Sequence, residues 1–188
     1  MSKSDPSRAK KEKSKTIRWV VIISLVTFFV SGAITLISDQ IMSVSGIITS
    51  FIILLTIVLL GILSDMVGLA VTSADEAPFH SMAARKVYGA QEAIRLLRNA
   101  ERVSSICNDV VGDICGVVSG TAAATISAQF LLNFEVLWPS GVGLTMSACV
   151  SSLTVCGKAI AKTFALGSST GIVHFAGKVI ALLSGRRR

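Results

Sequence analysis

From residue 19 to residue 84 the chain contains neither lysine nor arginine, and the same holds for 103–157 and 163–177. No other feature limits the fold so strongly. Lipid offers nothing to hydrogen-bond a bare backbone, so a chain that enters it crosses as a helix of ~20 predominantly apolar residues or as part of a closed barrel. Four stretches meet the helical requirement: 17–38, 46–72, 104–132 and 141–160. The fourth, GVGLTMSACVSSLTVCGKAI, is rich in Ser, Gly and Thr, and the alternative for it is a buried helix of a soluble domain. Only 15% of the residues are charged, against ~25% in soluble domains. These observations predict an all-α integral membrane protein of about four transmembrane helices.

The first span follows a basic segment, MSKSDPSRAKKEKSKTIR, as a secretory signal would. Its apolar stretch is longer than the ~7–15 residues of a signal h-region, so it reads as a retained helix. Residues 1–16 are charged and poor in hydrophobic side chains, and are expected to lack fixed structure. Residues 17–38 form an additional N-terminal span, and 185–188 a basic tail.

Orientation follows from charge. Lysine and arginine near span ends stay on the cytoplasmic side. With the N-terminus inside, segments 1–18, 73–103 and 158–188 are cytoplasmic and hold all 18 basic residues. The outer loops, 39–45 and 133–140, hold none. An odd number of spans would break this segregation. The pattern predicts a multi-pass protein of the inner or plasma membrane with both termini cytoplasmic. It also accounts for the net charge of +7, since the basic residues flank spans, where anionic lipid lies. A nucleic-acid interface is therefore not expected, and the lipid bilayer is the primary partner.

Two cytoplasmic segments carry their own pattern. In 73–103, Pro78 can open a short helix and Gly89 interrupts it; a second helix over 90–100 places Ala93, Ile94, Leu96 and Leu97 on one side. This predicts a juxtamembrane helical hairpin. In 170–184, Ile172, Val173, Phe175, Val179, Ile180 and Leu183 recur at helical spacing, with Lys178 among them and Arg186 to Arg188 after them. An amphipathic helix at the membrane surface fits better than a fifth span.

Span three opens with polar groups: Ser105, Asn108, Asp109 and Asp113. At ~1.5 Å per residue, Asp65, Asp113 and Lys158 lie about 28, 28 and 26 Å from the outer ends of their spans, all near the cytoplasmic edge. Ionised groups at such depth face protein or water and find partners. Convergence of these carboxylates between the spans is expected, with Lys158 as candidate partner to Asp113 or Asp65. The alternative for Asp109 is a solvated helix end among headgroups.

Four motifs in order carry a resemblance. Ser64 lies near the inner end of span two; residues 84–102 read ARKVYGAQEAIRLLRNAER; Gly112-Asp113 follow in span three; and residues 155–165 read VCGKAIAKTFA. Over about 46–184 this resembles the transmembrane domain of the CNNM/CorB/CorC proteins, implicated in magnesium and cobalt transport or homeostasis. The family's "FSxSE", "GN" and "FGEIIPK" elements are what these stretches are similar to. The resemblance implies a site for a divalent cation, magnesium first, with Ser64, Asp65, Asn108, Asp109 and Asp113 as candidate ligands; oxygen donors of this kind suit that hard ion. No other cofactor is expected.

The departures point the other way. Lys158 stands where the family has Glu, Ala161 replaces a proline, and Asp113 stands in place of Asn, about two residues further from Glu101-Arg102. The nucleotide-sensing CBS pair that family members carry is not expected within these 188 residues. The alternative function is a non-transporting scaffold or interaction subunit in which the Lys158 ammonium replaces the cation.

The remaining signals are structural. Gly112, Gly116 and Gly120 form a small-xxx-small ridge expected to pack closely against another helix, within the chain or in a homodimer. A separate regulatory subunit is the other partner the pattern leaves open. Cys107, Cys115, Cys149 and Cys156 show no paired metal spacing, and His80 and His174 stand alone. No Ser-His-Asp, zinc or phosphate-loop pattern suggests an enzyme.

Overall fold

The computed structural model describes residues 6–134 and 138–184, with side chains from residue 17 onward. Among these residues every element is helical. They are α1 (Pro6–Val44), α2 (Ile47–Ser73), α3 (Ala77–Ala84), α4 (Ala90–Arg98), α5 (Ala100–Ser105), α6 (Gly112–Asn133), α7 (Pro139–Gly167) and α8 (Ser169–Leu183). A π-helical stretch, Ile106–Val111, joins α5 to α6 without a break. Four helical runs are long and apolar enough to cross a membrane: Ile17–Val44, Ile47–Ser73, Ala100–Asn133 and Pro139–Gly167. The chain is an all-α, multi-pass membrane protein by length and apolar character.

The four runs coincide with the four predicted spans: the second is shifted by one residue, and the others are extended by several. α1 also reaches back to Pro6, into the segment expected to lack fixed structure. Ala, Lys and Glu in that segment are good helix formers, and a helix already nucleated by the span extends at little cost. The basic tail at 185–188 lies outside the described residues.

α2 is central. Its two ends belong to two apolar clusters. One lies at the end of the bundle where α1 turns into α2, and joins Met42, Leu54, Val58, Ala122, Ala123, Ile126 and Val150. The other lies at the opposite end, where α3–α5 and α8 gather, and joins Val71, Phe79, Ala93, Leu97, Ala165, Ile172 and Val173. These will be called the loop end and the hairpin end. α1 is the most peripheral span: no residue in its most apolar stretch is buried. It is fastened at the loop end, where Met42 is fully buried and the Gln129 amide of α6 donates to the Met42 and Ser45 carbonyls. Ser50 of α2 completes that knot by donating to Gln129 Oε1 at 3.3 Å.

The hairpin end takes the predicted form. Pro78 sits in the first turn of α3, and Gly89 adopts φ +84°, a left-handed conformation that a side chain would strain. This turn brings α4 back against α3, with Ala93 and Leu97 buried. α8 begins one residue after α7 and buries Ile172, Val173, Gly177 and Ala181, leaving Phe175, Val179, Leu182 and Leu183 exposed. A helix with apolar groups on both its packed and its free side suits a membrane boundary. The His174 ring lies 3.1 Å from the Tyr88 carbonyl and helps fix α8 to the hairpin turn.

A polar junction between two apolar clusters

Between the two clusters, at the level where α2, α6 and α7 meet, the packing becomes polar. Lys158 of α7 and Asp65 of α2 form an ion pair, Nζ to Oδ2, at 2.7 Å. The Asp65 side chain is 15% exposed and that of Lys158 37%, so the carboxylate is the inner partner. Its second oxygen, Oδ1, is buried without a hydrogen bond, and so is Asn108 Oδ1. Ser64 donates to the Cys107 carbonyl at 2.8 Å.

Three glycines make this approach feasible. A methyl group at Gly112 would stand 2.7 Å from Asp65 Oδ1, one at Gly68 would collide with Asn108 Oδ1, and one at Gly61 would stand 2.9 Å from Cys115 Cβ. Gly61 and Gly68 are seven residues apart, two turns of one face of α2. That spacing is a sign of close helix contact that the glycine ridge of span three, taken alone, does not convey.

The π-helical stretch supplies the rest. Its wider turn places the Gly112 N–H on the Cys107 carbonyl, which Ser64 also meets. Such stretches take up an extra residue inside an α-helix, and they are frequent at functional sites. It lies between Glu101-Arg102 and Asp113.

The five candidate ligands do not converge. Ser64, Asp65 and Asn108 belong to the junction, but Asp109 and Asp113 do not. Both are exposed and line an open groove between α6 and α1. The ion pair expected between Lys158 and either Asp113 or Asp65 forms with Asp65. Asp109 instead accepts a hydrogen bond from Ser105 at 2.8 Å. Among the described residues no group of three or more His, Cys, Asp or Glu side chains gathers in a metal-binding arrangement.

The glycine ridge also divides. Gly112 is in close contact with Asp65, but methyl groups at Gly116 and Gly120 would meet nothing within 4 Å. Those two line an open space of about 260 Å³ against Ser147, Ser151 and Thr154 of α7. The expected tight packing within the chain is absent there. Val150 of α7 packs into the cluster with Ala122 and Ala123, and the smaller residues beside it face each other across a gap. The four cysteines are free.

Fold and junction together define a class: a helical multi-pass membrane protein with one ion pair set between two apolar layers. No family model, curated protein or solved structure matches the chain.

Proposed function

We propose that this chain is a non-transporting scaffold or interaction subunit of the cell membrane, in which the Lys158 ammonium takes the place of a bound cation. The hairpin end and both termini face the cytoplasm in this reading, as the segregation of all 18 basic residues suggests. The single observation that carries it is the 2.7 Å contact between Lys158 Nζ and Asp65 Oδ2. With Asp109 and Asp113 turned toward α1, Asp65 is the one carboxylate of the junction, and Lys158 neutralises it. A divalent ion entering there would meet no net negative charge and one ammonium, an unfavourable exchange for a hard cation. An internal pair of this kind holds α2 and α7 in one relative arrangement and carries nothing across.

A second reading has its own support. The buried oxygens Asp65 Oδ1 and Asn108 Oδ1 lack hydrogen bonds, and buried acceptors left without partners are costly. Together with Ser64 they are oxygen donors of the type that magnesium takes. In that reading the protein resembles CNNM/CorB/CorC in activity as well as in its order of elements, and serves magnesium or cobalt transport or homeostasis, with Lys158 swinging aside to admit the ion.

The test is thermal unfolding in mild detergent of wild type and Lys158→Glu, each with and without millimolar magnesium. A ligand at a hundredfold excess over its dissociation constant stabilises by ~2.7 kcal/mol. Magnesium stabilisation confined to Lys158→Glu supports the scaffold. Stabilisation of wild type, reduced by Asn108→Ala, supports the carrier. No response from either protein removes the cation-like junction from both readings.

A further inference from the structure

Away from the junction, α1 and α6 enclose an open groove of about 970 Å³. Its α1 wall carries the hydroxyls of Ser24, Thr27, Ser31 and Thr35, and its other wall the carboxylates of Asp109, in the π-helical stretch, and Asp113, in α6. Along α1 it extends from Ile23 to Leu36, which is ~20 Å at 1.5 Å per residue. Thr27, Ser31 and Thr35 are half-buried and recur every four residues, so they form one face. At the loop end the groove closes: Thr125 of α6 donates to Asp39 of α1 at 2.8 Å, just before the Gln129 knot. The carboxylates stand at the hairpin end.

We propose that this groove seats a membrane-spanning helix of a partner protein, one that carries a lysine or arginine near the hairpin end of the bundle. Shape is the first argument. The groove is open along its side and ~20 Å long, so a helix can lie in it lengthwise. A hydrated ion would leave most of that length empty. Small hydroxyl side chains on the floor allow a second backbone to come close and to hydrogen-bond.

Charge is the second argument, and it sets the orientation. Asp109, in the π-helical stretch, and Asp113, in the first turn of α6, both line the groove. Neither makes an ion pair among the described residues, where the pairs are Glu76–His80, Glu92–Arg95 and Asp65–Lys158. Ionised side chains at this depth require an opposite charge or water. A single basic residue on the incoming helix meets both carboxylates at once. The groove is independent of the Lys158 junction, so the inference holds whichever reading of that junction is right.

The experiment uses the purified full chain in neutral phospholipid vesicles. The probe is a synthetic dansyl-labelled Leu-Ala spanning helix without tryptophan, carrying one lysine near one terminus. Energy transfer from the native tryptophans, of which Trp19 lies on α1, reads binding. Two control peptides replace the lysine by leucine or move it to the opposite terminus. The expected result is that the lysine peptide in matching orientation binds at least tenfold more tightly than both controls. The preference should vanish in the Asp109→Asn/Asp113→Asn double variant, and Ser31→Leu should weaken every peptide. Equal binding of all three peptides to wild type overturns the proposal, and that comparison needs no variant to fold. So does a preference that survives the double variant when its thermal unfolding matches wild type. Two further outcomes also overturn it. One is self-association of the chain that is lost in the double variant without any peptide preference, which assigns the groove to a second copy. The other is magnesium stabilisation that depends on Asp109 and Asp113 without any peptide preference, which assigns it to an ion.

Discussion

Two glycines of α8, six residues apart, should respond to the same substitution in opposite directions. A methyl group at Gly177 would stand 2.5 Å from the Gly89 carbonyl oxygen and 2.9 Å from the Ala93 amide nitrogen. Both are backbone atoms, and Gly89 already occupies the left-handed turn that starts α4, so neither can give way without moving the hairpin. A methyl group at Gly171 would meet nothing within 4 Å. In a helix, Gly→Ala by itself stabilises by ~0.4–1 kcal/mol, because the unfolded chain loses freedom. For Gly171→Ala that gain should appear whole. For Gly177→Ala it is set against overpacking in the upper part of the ~1–3 kcal/mol range, because the contacted atoms are backbone, leaving a loss of about 1–2 kcal/mol. In a chain of this size 1 kcal/mol moves the midpoint by ~2–4 °C, so Gly171→Ala should melt about 1–4 °C higher and Gly177→Ala about 2–8 °C lower. Detergent-solubilised protein serves for the thermal measurement. A second readout is trypsin, which should cut Gly177→Ala faster at Arg85 and Lys86, beside the Gly89 turn. If both variants melt alike and are cut alike, α8 does not rest on the hairpin turn as described.

Other perturbations separate the remaining contacts. Gly116→Ala should be neutral or stabilising, and Gly112→Ala destabilising relative to it, because only the second methyl group meets Asp65; unfolding of the two variants compares them directly. Gln129→Leu removes the amide that joins α1 to α2 and α6. The buried groups it leaves unpaired should cost ~1–3 kcal/mol, and α1 should become more accessible to protease while the hairpin end stays intact. Lys158→Met should cost about 3 kcal/mol, the lower end for a broken buried pair because the ammonium is partly exposed, and Asp65→Asn in the same chain should restore much of it. For orientation, cysteines introduced at Gln40 and Asn133 should react with an impermeant maleimide applied outside intact cells, and one at Gln91 should not; the reverse pattern would invert the assigned topology.

Much of the architecture is legible in the amino-acid order alone. Spans, hairpin and surface helix follow from the bilayer, which demands continuous apolar helix and tolerates little else. Gly89 and Pro78 mark the hairpin because the backbone conformations they favour are local. The candidate site is legible only as a set of polar residues at one depth. Depth is a linear measure and follows from counting residues; direction around the helix axis does not. The π-helical stretch lies among the residues in question, and an extra residue in one turn changes the rotation of everything beyond it. A wheel drawn at 3.6 residues per turn therefore has no fixed phase relating Asn108 to Asp113.

The chain by itself determined that four helices are long and apolar enough to cross a membrane and that Asp65, Asp109 and Asp113 lie toward the same end of their helices, because hydropathy and length decide both. Only the tertiary structure decided the partners. Lys158 meets Asp65, Asn108 turns toward Gly68, and Asp109 and Asp113 line the groove beside α1. Which of several equally deep polar groups touch depends on helix rotation, and rotation is set by glycine contacts, the π-helical turn and the knot at Gln129. Those constraints act between segments far apart in sequence, so no local pattern records them.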